Sequence, residues 1–146
     1  MKLKYTILFT FLLLSSLLSF SQNENSREKI EAMKVAFITQ ELSLTTAEAQ
    51  LFWPVYNDYE QKKKDIRKDL RQTQKGKLKN LDQMSDKEIE EMIDLEIEYD
   101  QKELDLKKEY HSKLKKVLSM KKIALLYKTE DKFKRKILEQ LKNEGK

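Results

Sequence analysis

The sequence contains no cysteine, one proline, two glycines and one histidine among its 146 residues. Each scarcity excludes something. Without Cys there are no disulfides and no thiolate metal sites. A single imidazole, His111, leaves little for metal chemistry, because a metal site needs several convergent ligands. With only Gly76, Gly145 and Pro54, the chain lacks the turn residues that hairpins require, which argues against an all-β fold. Apolar residues make up 39% and charged residues 38%, too even a mixture for a large compact core. Long helix or disorder is what remains. The counts also argue against an enzyme, and no cofactor or metal is implied.

The first residues differ from everything after them. Lys2 and Lys4 form a short positive start, and Ile7 to Leu18 is an apolar run broken only by Thr10, Ser15 and Ser16. Ser19-Phe20-Ser21 then supplies small residues at the two positions a signal peptidase reads, which is a secretory signal pattern. A membrane anchor is the alternative, but the run is shorter than the ~20 residues a bilayer span needs. Segment 1–21 is therefore expected to be removed near Ser21/Gln22, leaving 22–146 as one domain outside the cytoplasm. That mature chain carries 28 Lys+Arg against 25 Asp+Glu, a net of +3. Such a near balance is not the footprint of a nucleic-acid binder.

From Ser26 onward the apolar residues recur at helical spacing. Helix one is expected over Ser26–Leu42, with Ile30, Met33, Phe37 and Ile38 inward. Thr45 followed by Glu48 is a capping-box pattern that opens helix two, Thr46–Lys77, with Ala49, Phe52, Tyr56, Tyr59, Ile66 and Leu70 on one face. Pro54 inside it removes the hydrogen bond to the Gln50 carbonyl and should bend the axis. A break is expected at Asn80–Ser85. Ser85 and Glu88 repeat the capping box for helix three, Asp86–Leu118, with Ile89, Met92, Ile93, Ile97, Leu104, His111, Leu114 and Leu118 inward. Ser119 can cap helix four, Met120–Leu141, whose apolar face is Ile123, Leu126, Tyr127, Phe133, Ile137 and Leu141. Lys142–Lys146 should fray. Between Gln61 and Leu81 the apolar face thins to Ile66, Leu70, Leu78 and Leu81, a stripe too sparse to stand without a partner helix.

Charge is sorted into blocks. Residues 61–81 hold nine Lys/Arg against two Asp, and residues 82–105 hold eleven Asp/Glu against two Lys. Folding at Asn80–Ser85 would lay helices two and three antiparallel with these blocks side by side, each suiting its helix end. Residues 106–127 return to seven Lys against Glu109 alone. Both basic blocks read equally as a solvated helix face or as a basic concave surface for acidic or unfolded partners. On the second reading, charge and periodicity select Lys63, Arg67, Lys68 and Arg71 on helix two, with Ile66 and Leu70 as the apolar part and Lys113 and Lys116 on helix three. Thr45 and Glu48 read as helix caps, Phe52 as core, and Trp53 and Tyr56 as core or dimer contacts.

Leu44-Thr45-Thr46-Ala47-Glu48, followed by Phe52-Trp53-Pro54-Val55-Tyr56-Asn57-Asp58-Tyr59 and a long charged helix, resembles the Spy/CpxP family of periplasmic proteins, also called the LTxxQ-motif family. The branch resembled is the one labelled as a sensor of extracytoplasmic-function sigma factors, and Leu125–Arg135 resembles it as well. Glu48 stands where the namesake motif has Gln. A second copy would fall at Leu118-Ser119-Met120-Lys121-Lys122, with Lys in the last position. The resemblance implies a periplasmic, four-helix hooked hairpin forming a cradle, as an intertwined homodimer. It implies ATP-independent holding of unfolded envelope proteins, or alternatively a regulatory protein that binds an envelope-stress sensor or anti-sigma factor.

Overall fold

The structure is a computed structural model that describes residues 28–144. The expected signal segment 1–21 and its cleavage site lie outside the described residues. The fold is all-α. Helix α1 covers residues 28–41 of the described chain, α2 is Thr46–Thr73, a 3-10 segment spans Lys77–Gln83, α3 is Asp86–Leu114 and α4 is Met120–Glu144.

The caps form where the sequence places them. The Thr45 hydroxyl accepts the Glu48 amide at 3.2 Å, and the Glu48 carboxylate accepts the Thr45 amide at 2.8 Å. Ser85 and Glu88 make the same reciprocal pair, and the Ser119 hydroxyl accepts the Lys122 amide at 3.3 Å. Each box satisfies two of the amides that a helix start leaves orphaned. Helix α2 runs through Pro54 without a break.

The ends of α2, α3 and α4 differ from expectation. Helix α2 stops at Thr73, not Lys77, because Gly76 adopts a left-handed backbone with φ of 88°. Glycine takes that conformation without steric penalty and so ends a helix. The break consequently opens before Asn80 and is partly wound as 3-10 helix. Helix α3 stops at Leu114, not Leu118. The Leu114 carbonyl accepts the amides of both Val117 and Leu118 at 2.9 and 2.8 Å, so a turn takes the place of the last helical residues. Helix α4 extends past Leu141 to Glu144.

The chain divides into two compact units, Leu44–Ala124 and the remainder. Within Leu44–Ala124, α2 and α3 touch through Asp58–Lys113, Tyr59–Tyr110, Arg67–Glu103, Asp69–Tyr99 and Gln74–Met92. Numbers rise on α2 as they fall on α3, so the two helices run antiparallel. Phe52, Tyr56, Met92, Tyr99, Tyr110, Leu114, Leu118 and Ile123 are buried there. The Tyr59 and Tyr110 rings stack with centroids 4.0 Å apart.

The inward face of α3 is only in part the one expected: Met92, Leu114 and Leu118 are buried, and three other residues are not. Ile93, Ile97 and Leu104 are 49, 61 and 46% exposed, and His111 is half-buried. The wheel turns about 100° per residue, so a face centred on Met92, Tyr99 and Tyr110 carries the isoleucines out to the side. Tyr99 wins its position because its ring packs while its hydroxyl reaches a polar partner, and Tyr110 because its ring stacks on that of Tyr59. The Tyr99 hydroxyl donates to the Asp69 carboxylate, and that bond raises the phenol's pKa above its ordinary value.

In the other unit, Ile38, Leu42, Leu126, Thr129 and Phe133 are buried. The Phe37 and Phe133 rings lie 5.6 Å apart, and Lys132 reaches Glu41 at 2.7 Å. Met33 and Leu141, expected inward, are exposed instead.

Candidate functional site

The basic block of α2 shapes an open groove of about 460 Å³ lined by Glu60, Lys63, Lys64, Arg67, Leu70 and Arg71. Steps of three and four residues bring these side chains to one flank of the helix. Arg67 is clamped at the groove's edge. Its Nε and Nη2 donate to the two carboxylate oxygens of Glu103 at 2.6 and 2.9 Å. That bidentate contact raises the pKa of the guanidinium and lowers that of the carboxyl. Arg71 donates its Nε–H to the Arg67 carbonyl at 3.2 Å, which leaves its remaining N–H groups for an external acceptor. Lys63 sits 3.7 Å from Glu60, and Lys64 is exposed. Leu70, half-buried, supplies apolar surface among these cations.

Of the residues selected from the sequence, the groove unites Lys63, Arg67, Leu70 and Arg71. Lys68 is exposed but does not line it, and Ile66 is half-buried away from it. Lys113 stands elsewhere. Its ammonium lies 2.7 Å from Glu109 and 3.3 Å from Asp58, and these two carboxylates raise its pKa. It is a tether between α2 and α3 and not an available cation. Lys116 is exposed in the turn after α3. The sequence reading passed over Lys64, although its place one turn before Lys68 in the basic run marks it. Among the described residues, Arg67–Glu103 is the ion pair that joins the basic block of α2 to the acidic block of α3.

The motif residues gather at the start of α2. Phe52 is fully buried and Tyr56 nearly so, Leu44 and Trp53 are half-buried, and Pro54 is exposed. The Phe52 ring lies 4.9 Å from that of Trp53 and 5.3 Å from that of Tyr56. Glu48 serves the cap and also accepts a hydrogen bond from Lys122 Nζ at 2.6 Å. Glu48 and Lys122, the two positions at which the sequence differs from the motif it resembles, thus face each other as an ion pair. Lys122 is the larger cause, and the Thr45 amide the next, of a Glu48 carboxyl held below its usual range.

Among the described residues, no group of three or more His, Asp or Glu is placed to hold a metal ion, and no helix is long and apolar enough to cross a membrane. No family model matches the chain, and no curated protein or solved structure matches it.

Proposed function

We propose that this chain is an exported, ATP-independent chaperone of the Spy/CpxP type that holds unfolded envelope proteins in the periplasm. In this reading it acts as a homodimer whose hooked helical hairpins form a cradle. The observation that carries the reading is the groove on α2, where Lys64 and Arg71 stand in the open beside Leu70 and the half-buried Lys63. Exposed cations beside a modest apolar surface attract acidic, flexible segments and hold them loosely, because long-range charge speeds encounter while little area is buried. The signal-like segment and the Leu44–Glu48 and Phe52–Tyr59 blocks support the same reading.

The test is light scattering from a chemically denatured client diluted into the purified protein without nucleotide. Equimolar protein should suppress aggregation, and Lys64→Glu/Arg71→Glu should weaken that suppression while leaving the helical signal intact. No suppression by the unaltered protein would refute the proposal. Recovery of one saturable partner from an envelope fraction, with no effect on generic clients, would favour the alternative role as a regulator of a stress sensor.

A further inference from the structure

Helix α3 carries an exposed apolar stripe that its own hairpin does not cover. Ile93, Ile97 and Leu104 fall within about 40° of one another at 100° per residue, and roughly 120° from the face that meets α2. Each is close to half exposed or more. Glu90 and Asp100 border the stripe about 20° to either side, and Asp94 and Glu96 lie about 60° from its edges. All four are exposed, and no hydrogen bond or ion pair joins them to another described residue. The stripe therefore asks for an occupant that is both apolar and cationic.

This chain contains a segment of that chemistry. Near the end of α4, Leu138 and Leu141 are 51 and 55% exposed. Lys134, Arg135 and Lys142 flank them, exposed and without an ion pair to any described residue. Two exposed leucines bordered by three free cations match exposed isoleucines bordered by free carboxylates.

The geometry points to a second copy of this chain as the occupant: the end of α4 from one copy lies on the α3 stripe of the other, and the contact is exchanged reciprocally. Other pairings of the stripe are weaker. Placing one α3 stripe on the other would oppose two stretches of residues 82–105, each with eleven acids against two lysines. The basic flank of α2 offers only the half-buried Leu70 as an apolar match. One helix end on about three turns of α3 is too small for a stable interface, which needs roughly 1,000 Å². Reciprocal exchange makes the contact twice, as two-fold symmetry requires. The inference rests on the homodimer within the proposed function and names its surface.

Sedimentation of the purified protein at low salt tests it. The unaltered protein should dimerise, and Glu90→Lys/Asp100→Lys or Lys134→Glu/Arg135→Glu should each weaken the dimer by about tenfold or more. Mixing the two variants should restore dimerisation, because each then meets an opposite charge at both contacts. Rescue shows that both variants are folded, and absence of rescue between variants that keep the helical signal of the unaltered protein overturns the proposal. Variants that dimerise as well as the unaltered chain also overturn it, while leaving the homodimer itself standing. An unaltered protein that stays monomeric at all concentrations removes both.

Discussion

Phe52 is the residue on which the Leu44–Ala124 unit should depend most. It is fully buried, and its ring contacts Trp53 and Tyr56 at centroid distances of 4.9 and 5.3 Å. Replacing a buried Phe by Ala removes the transfer energy of the ring and leaves a cavity, a loss of about 3–5 kcal/mol. Of that, each aromatic contact accounts for roughly 0.5–1.5 kcal/mol beyond its area. Small domains hold only about 5–15 kcal/mol in all, so Phe52→Ala should lower the thermal midpoint by roughly 10–20 °C. Leu51, one residue away and 60% exposed, provides the internal control. Leu51→Ala keeps a good helix former on the open side and should change stability by no more than about 0.5 kcal/mol. Thermal unfolding followed by circular dichroism measures both, and Trp53 emission, shifting to longer wavelength as its neighbour is lost, reports the local change. Equal losses from Phe52→Ala and Leu51→Ala would refute the assigned face of α2.

Two further outcomes follow from polar groups. The Glu103 carboxyl is held below its ordinary value by the Arg67 guanidinium, so its contribution to stability is present above that ordinary value and is lost as pH falls through the lower folded one. Glu103→Gln should therefore flatten the acid limb of a stability–pH profile, by at most about 1 kcal/mol for so exposed a pair, and an unchanged limb would refute the role of this pair. Thr129 is 1% exposed, and its hydroxyl lacks a hydrogen-bond partner among the described residues. Thr129→Val keeps the shape and removes that unsatisfied group, so it should raise stability by about 1 kcal/mol in denaturant titration; a loss would show that the hydroxyl is satisfied.

The helices were legible because capping boxes and helical periodicity are local signals. Thr45 with Glu48, Ser85 with Glu88, and Ser119 all cap where the residues alone place them. The missed end of α2 had a visible marker in Gly76, whose left-handed backbone stops the helix. The inward face of α3 was less legible. Its isoleucines are the more hydrophobic residues, yet Tyr99 and Tyr110 take the interface because α2 offers Asp69 to one and the Tyr59 ring to the other. That choice depends on the partner helix, and no window on α3 alone contains it. The candidate site divides in the same way. Periodicity brought Lys63, Arg67, Leu70 and Arg71 together, since they share one helix. Whether a cation is free depends on a second helix, as the tethering of Lys113 by Asp58 shows.

The pairing of Glu48 with Lys122 carries this argument furthest, because it links residues 74 positions apart that each look like an independent departure from a motif. Glu48 has two duties, accepting the Thr45 amide and meeting the Lys122 ammonium. Glutamine retains the first through its carbonyl oxygen and forfeits the charge needed for the second. Glu48→Gln should thus lower the thermal midpoint slightly, and Lys122→Gln should do the same by removing the partner. The double substitution should lose little more than the larger single loss, since either change alone already dissolves the pair. Reversing the pair, Glu48→Lys with Lys122→Glu, should recover less than the original. A lysine in the first turn of α2 cannot close the capping box and faces the positive end of the helix dipole. Losses that add in full in the double substitution would show that the two residues act separately, and that charge at 48 serves the cap alone.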